Sequence, residues 1–158
     1  MCRILVVDDN IGRSRLTTGI LRDRGYRADR VDFTAGTIPV ESCVEALKSK
    51  RYDILILDVH FGDGRKHSMG GLILYRKLLR QSIHWRETIV YTQYSSNNTE
   101  NPIDDAQEAI LAFIKKEGIP PERVISNFAM GGVSRLQSMV AELCEKYHGA
   151  MTKDESGE

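Results

Sequence analysis

The chain lacks the features that would commit it to a membrane, a nucleic acid or an oxidising compartment. No apolar run approaches the about 20 residues that span a bilayer. Lys plus Arg and Asp plus Glu both number 22, so the formal net charge is +0. That balance argues against a general nucleic-acid or membrane-surface role. Cysteine is scarce: Cys2, Cys43 and Cys144 are odd in number, far apart and without metal or redox spacing. They are expected to be reduced cytosolic thiols. The first strand begins almost at Met1, which leaves no room for a signal peptide, so a cytoplasmic location is expected. A glycine-rich nucleotide-phosphate loop, an internal repeat and a second domain are also missing.

What is present suits one globular domain. The chain has 158 residues, 41% hydrophobic and 28% charged. Its centre is Tyr52-Asp53-Ile54-Leu55-Ile56-Leu57-Asp58, where four apolar residues between two aspartates read as a strand buried on both faces. Arg3 to Val7 is a similar strand and ends in Asp8 and Asp9. Thr88 to Tyr91 is a third, followed by Thr92, Ser95 and Ser96. Tyr26 to Phe33 reads as an edge strand and Arg123 to Ser126 as a short fifth.

Helical segments separate the strands. The first runs from about Asn10 to Arg24, with Ile11, Leu16, Ile20 and Leu21 as core candidates and Gly25 as a left-handed stop. Thr37 and Pro39 open the second, with Val40, Cys43, Val44 and Leu47 as its apolar stripe. Val59 to Gly71 is a glycine-bearing loop, and the third helix carries Leu72, Tyr75, Leu78 and Leu79 inward. After the Trp85 turn, the fourth strand and the polar loop 95–101, Asn101-Pro102 starts a helix that ends at Gly118. That helix has more apolar residues than one core stripe needs, Leu111 and Ile114 among them, and offers a partner surface unless both are fully buried. The last helix shows Val133, Leu136, Val140, Leu143 and Tyr147, a core stripe too short for a coiled coil. The domain spans 1–149, and 150–158 is a polar tail expected to be disordered. Five alternating strands and helices make an α/β, flavodoxin-like, doubly wound parallel sheet of order 2-1-3-4-5, with helices on both faces.

That order brings Asp8, Asp9 and Asp58 to one sheet edge, beside Thr92. Crowded carboxylates repel, by about 4 kcal/mol for a pair at 4 Å and an effective dielectric near 20. A hard divalent cation, Mg²⁺ or Mn²⁺, relieves the repulsion and can hold a phosphoryl group beside Asp58. A carboxylate can attack phosphorus to form an aspartyl phosphate, with Thr92 donating to a phosphoryl oxygen. The bland alternative is that Asp8 and Asp9 cap the first helix and Asp58 begins a turn. In the loop, His60, Asp63 and His67 with Asp58 offer a transition-metal set, against which two solvated histidines in a glycine-rich loop are favoured. His84 and His148 show no partner in the sequence. Arg13, Arg15, Arg22, Arg24, Arg27 and Arg30 read as a solvated face or as a docking patch for an acidic partner.

From Arg3 to about Tyr147 the chain resembles the receiver domain of two-component response regulators. The resemblance rests on Ile4-Leu5-Val6-Val7-Asp8-Asp9-Asn10, on residues 52–58, on Met69-Gly70-Gly71-Leu72 and on Ile89-Val90-Tyr91-Thr92. It implies Asp58 as phosphoacceptor, Asp8, Asp9 and Asp58 as metal ligands with the backbone carbonyl of His60, and Thr92 as the switch hydroxyl. It also implies a phosphoacceptor that takes part in its own phosphorylation and dephosphorylation rather than a turnover enzyme. The partners implied are a histidine kinase or phosphotransfer protein and a downstream protein target, with no nucleic acid and no membrane.

The sequence departs from the family at strand five. Ser126 and Asn127 stand where a lysine and a proline are expected, and Arg123 stands where an aromatic switch residue falls. The loop after Asp58 is about five residues longer than usual, by direct count to Met69-Gly70-Gly71. Lys115 and Lys116 lie at the wrong end of the sheet to replace the lysine, whereas Arg65, Lys66 and Arg13 are better placed. The alternative reading is a pseudo-receiver, an interaction module that keeps the fold without phosphorylation. An aspartate-nucleophile phosphatase is disfavoured, because position 60 is histidine rather than a second aspartate.

Overall fold

Short runs of branched residues become strands here because each is covered on both sides. The structure, a computed structural model, describes residues 1–34, 36–59, 61, 69–92, 105–127 and 130–149. In chain order these form β1 (Arg3–Val7), α1 (Ile11–Asp23), β2 (Arg27–Val31), α2 (Val40–Ser49), β3 (Ile54–Leu57), α3 (Gly70–Arg80), β4 (Glu87–Thr92), α4 (Asp105–Glu117), a 3₁₀ turn at Pro121–Arg123, β5 (Val124–Ser126) and α5 (Gly132–His148). The strands form a five-stranded parallel sheet of order β2-β1-β3-β4-β5, as the sequence predicts.

Alternation along each strand splits the core in two. Leu5, Val7, Leu55, Leu57, Val90 and Val124 face α2, α3 and α4, where Cys43, Leu74, Leu78, Ile110 and Phe113 cover them. Ile4, Val6, Ile54, Ile56, Ile89, Tyr91 and Ile125 face α1 and α5, covered by Leu21, Leu136, Val140 and Leu143. Both faces of β3 are therefore dry, which is why its four residues are all apolar. Gly25 has a φ of 87° and Gly118 a φ of 68°, left-handed positions that end α1 and α4 without a Cβ clash.

Four expected core residues point outward. In α1, Ile11 and Leu16 are exposed, and the buried face is Ser14, Thr17, Thr18 and Leu21. These four recur at helical spacing, so geometry rather than polarity decides what lies against the sheet. Thr18 satisfies its hydroxyl by donating to the Ser14 carbonyl at 2.7 Å. Leu79 and Val133 are exposed as well, while Leu74 and Cys144 take buried places instead. In α4 Leu111 is exposed but Ile114 is buried, so the apolar surplus on that helix narrows to one residue. The expected Asn101 cap and the tail 150–158 lie outside the described residues.

The expectation of three reduced thiols is corrected. Cys2 and Cys144 form a disulfide, with Cα atoms 5.5 Å apart across a sequence separation of 142. The reason is tertiary: β1 is an interior strand of the sheet and α5 packs on the face to which Cys2 belongs, so residues at the two extremes of the domain meet. Cys43 remains a free thiol in the opposite core, and burial pushes its pKa up to about 12, which makes it a poor nucleophile. Among the described residues no helix is long and apolar enough to cross a membrane.

Candidate functional site

The register of the sheet assembles the site. Val7 pairs with Leu57, so the residues that follow, Asp8 and Asp58, leave the sheet side by side. The Asp58 amide still donates to the Val7 carbonyl at 2.9 Å, which fixes where its side chain starts. On the other side, β4 brings Thr92 against Asp58, and the threonine hydroxyl donates to Asp58 Oδ1 at 2.8 Å. Asp8, Asp58 and Thr92 are all buried; Asp9 is half-buried.

Asp8, Asp9 and Asp58 each present a carboxylate oxygen within 4.8 Å of the others. Three hard oxygen donors this close form a set that suits a hard divalent cation. Burial first, and the charge of Asp8 next, raise the Asp9 carboxyl above its ordinary pKa, against the pull of Arg13 and of backbone N–H groups.

Arg13, which the sequence places near Asp58 as a stand-in for the missing lysine, enters this cluster, though its bond to Asp8 was not foreseen. Asn10 caps α1, its side chain accepting from the Arg13 amide at 2.9 Å, and so sets the helix's first turn beside the acids. The Arg13 guanidinium donates Nε to Asp8 Oδ2 at 2.5 Å and Nη2 to Asp8 Oδ1 at 2.8 Å, and Nη2 also reaches Asp58 Oδ2 at 2.9 Å. Burial would lower its pKa, but the hydrogen bonds to Asp8 and the charges of all three aspartates outweigh burial and raise it. An arginine fork thus bridges two of the three carboxylates. The Asp8 side chain also accepts from the Asn10 amide at 2.9 Å, but the cap of α1 is Asn10, not Asp8 or Asp9 as the bland alternative has it.

Close backbone approach frames the site. A Cβ on Gly71 would lie 2.3 Å from the Asp58 carbonyl oxygen, so only glycine lets α3 begin on the backbone that carries Asp58. A Cβ on Gly132 would lie 2.4 Å from the Ser126 carbonyl oxygen, the same device at the start of α5.

Strand five places Ser126 in register with Thr92, and the Asn127 amide donates to the Thr92 carbonyl at 2.8 Å. Asn127 keeps both side-chain polar atoms buried without a hydrogen-bond partner among the described residues. Nothing in the sequence marked it beyond its place after Ser126. Arg123 does not approach Asp58; its guanidinium pairs with Glu87, which also accepts from the Tyr147 hydroxyl. Lys115 and Lys116 are exposed at the end of α4. His148, which showed no partner in the sequence, pairs with Asp53 at 3.0 Å. His60, Asp63, Arg65, Lys66 and His67 lie outside the described residues.

No protein-family model and no curated protein sequence matches the chain. Solved structures do. The receiver domain of Francisella response regulator 1452 is similar with a TM-score of 0.62 and 15% identity, over 92% of this chain and 98% of that one. A CheY-like response regulator receiver domain protein from Methanospirillum hungatei JF-1 has a TM-score of 0.60 and 18% identity, over 99% of both chains. A Burkholderia pseudomallei response regulator, solved with a phosphorylated aspartic acid, a calcium ion and citrate, has a TM-score of 0.53 and 18% identity, over 90% of this chain and 74% of that one. With the sheet order and the site's position at its carboxyl edge, these likenesses establish that the chain has the fold of the CheY-like response-regulator receiver domain.

Proposed function

We propose that the chain is a response-regulator receiver that accepts a phosphoryl group on Asp58 and signals by protein–protein contact. One observation carries the reading: Asp58 is buried, takes a hydrogen bond from Thr92 at 2.8 Å, and shares a 4.8 Å cluster with Asp8 and Asp9. A carboxylate oxygen of Asp58 attacks phosphorus, an O–P bond forms, the bond from phosphorus to the donor breaks, and the donor leaves with its electron pair. Asp8, Asp9 and Asp58, with the His60 carbonyl as a further ligand, would hold Mg²⁺ or Mn²⁺, which supplies charge neutralisation for the incoming phosphoryl oxygens. Thr92, already aimed at Asp58, turns its hydroxyl to a phosphoryl oxygen. The Burkholderia structure carries the corresponding pair of features, a phosphorylated aspartic acid and a divalent ion.

The donor in this reading is a phosphohistidine of a kinase or phosphotransfer protein. Ile11 and Leu16, exposed on the first turns of α1 next to the acids, suit the apolar part of such a contact. The downstream target is a protein, and the domain's chemistry is phosphoacceptance rather than turnover of a substrate. Intact-mass measurement after incubation with a small phosphodonor and Mg²⁺ tests the reading. One added phosphoryl group that disappears in Asp58→Asn supports it; no mass gain with Mg²⁺ present defeats it.

One observation favours the second reading, a pseudo-receiver that works by contact alone. Arg13 already bridges Asp8 and Asp58 and neutralises part of their charge without a metal. In that case neither Mg²⁺ nor a beryllium fluoride phosphoryl mimic binds at millimolar concentration.

A further inference from the structure

At the end of the sheet opposite Asp58, a second set of ligating side chains converges. Cys2, Asp53 and His148 offer a sulfur, a carboxylate oxygen and an imidazole nitrogen that all lie within 4.8 Å of one another. They come from three places in the fold: the residue before β1, the residue before β3 and the last residue of α5. Cys144, bonded to Cys2, lies four residues before His148 on the same helix face. Asp53 Oδ2 accepts from the Arg3 amide at 2.9 Å and lies 3.0 Å from His148 Nε2. Its other oxygen faces Arg86 Nε at 3.5 Å. A cavity of about 430 Å³, lined by Arg3, Arg51, Tyr52, Asp53, Arg86 and His148 among others, opens onto the pair and gives an ion a way in.

We propose that reduction of the Cys2–Cys144 disulfide turns this cluster into a binding site for zinc, or a similar borderline-soft divalent ion, with Cys2, Cys144, Asp53 and His148 as its four ligands. Two thiolates, an imidazole and a carboxylate make a tetrahedral donor set that zinc accepts and that magnesium, which demands oxygen, does not. Cys2, Asp53 and His148 are positioned in advance at the starts of β1 and β3 and the end of α5, and Cys144 is held next to Cys2 by their bond. The Asp53–His148 separation of 3.0 Å is close to the roughly 3.3 Å edge of a tetrahedron with bonds of about 2.0–2.1 Å. Charge also closes: two thiolates and a carboxylate around a divalent ion leave one negative charge, and Arg86 stands beside it.

The disulfide is the control element. While the S–S bond exists, neither sulfur can become a thiolate, and Asp53 and His148 alone make a weak site. A dithiol reductant attacks one sulfur, forms a mixed disulfide, and resolves it with its second thiol. The reductant leaves as its own disulfide, and Cys2 and Cys144 are left as thiols. Zinc then displaces one proton from each. Reduction, which by itself would loosen α5 from β1, is answered by a metal that ties them again.

The site is tested by adding Zn²⁺ to the full chain in the presence of a chromophoric chelator, after reduction with a phosphine, and in parallel by the absorption of the Co²⁺ form. The expected result is one Zn²⁺ per chain, a thiolate-to-cobalt charge-transfer band and tetrahedral ligand-field bands, all absent from the oxidised protein. His148 is exposed, so His148→Ala tests a ligand at little risk to folding. Losing an outer-shell partner alone costs about 10–100-fold in metal affinity, so losing this ligand should cost at least tenfold. Cys43→Ser should leave the cobalt spectrum unchanged. Equal zinc affinity in the oxidised and reduced forms, no charge-transfer band after reduction, or unchanged affinity in His148→Ala would each overturn the proposal.

Discussion

Arg13 Nη2 lies 2.9 Å from Asp58 Oδ2, although 45 residues separate them and α1 carries no other basic group into the cluster. The guanidinium therefore holds the position between two acids from which a cation would neutralise them. Any metal that binds Asp8 and Asp58 has to displace part of its fork.

Arg13→Ala should therefore raise the affinity for Mg²⁺ by about tenfold or more, and should lower stability in the absence of metal. Breaking a buried ion pair from one side costs about 3–5 kcal/mol. Arg13 is partly exposed, so the lower figure applies here. Calorimetric titration and chemical denaturation, with and without Mg²⁺, read the two effects. An unchanged or weakened Mg²⁺ affinity would show that Arg13 does not compete with the ion.

Ser126 pairs in register with Thr92, so a lysine at this position starts from the strand next to the hydroxyl that meets Asp58. If Asp58 accepts a phosphoryl group as proposed, Ser126→Lys should supply it with a cation from the strand-five side, opposite Arg13. A charge-assisted hydrogen bond is worth about 1.5–3 kcal/mol, enough to move a two-state equilibrium about tenfold or more. With beryllium fluoride and Mg²⁺, spectral changes in the native chain should stay near Asp58, and in Ser126→Lys they should spread through β4 and β5 into α4. Equal spread in both would mean that another residue already does the lysine's work.

Glu87 should contribute to the acid side of the stability profile, as should Asp29, whose pKa is also lowered. Burial opposes the ionisation of Glu87, but hydrogen bonds from Tyr147, Arg123 and Lys146 and the charge of Arg123 outweigh burial, and its pKa falls below the ordinary value. The unfolded chain, with an ordinary value of about 4.3, takes up the proton first as pH drops. The stabilisation is thus full above the unfolded value and lost as pH falls through the depressed folded one. Glu87→Gln should be less stable at neutral pH and should flatten the decline below about pH 5. Denaturation midpoints at several pH values decide it, and a slope equal to the native chain's would assign the acid sensitivity elsewhere.

Gly71→Ala and Gly19→Ala should behave in opposite ways. The first drives a Cβ to 2.3 Å from the Asp58 carbonyl oxygen and 2.4 Å from the Val59 Cα, while the second meets nothing within 4 Å. Overpacking of this kind costs about 1–3 kcal/mol. An open helical glycine replaced by alanine gains about 0.5–1 kcal/mol. Thermal unfolding separates the pair. Equal midpoints would mean that α3 can slide off the Asp58 backbone at no cost.

The meeting of Asp8, Asp9, Asp58 and Thr92 was legible because strand ends are local: a four-residue branched run followed by Asp58 needs no knowledge of distant chain. The sheet order followed from the alternation of strands and helices. What escaped depended on three dimensions. Ile11 and Leu16 look like core by type, yet the face that meets the sheet is Ser14, Thr17, Thr18 and Leu21, and only the helix's rotation decides between them. Arg13 is one of seven arginines in the first 30 residues; its place on the first turn of α1 marks it as near the acids, but the fork it makes across Asp8 and Asp58 forms only in the assembled sheet. Cys2 and Cys144 are at opposite ends of the domain in sequence and touch only because α5 returns across β1.

The strands that border the sheet limit how other proteins can join it. Strand β2, at one edge, is Arg-Ala-Asp-Arg-Val, with Arg27 exposed and Asp29 and Arg30 half-buried. Strand β5, at the other, is only three residues long. A chain adding itself alongside β2 would have to accommodate those charges, and alongside β5 it would find too few backbone groups to register against. Neither border is a template for sheet growth, so the domain resists edge-to-edge aggregation.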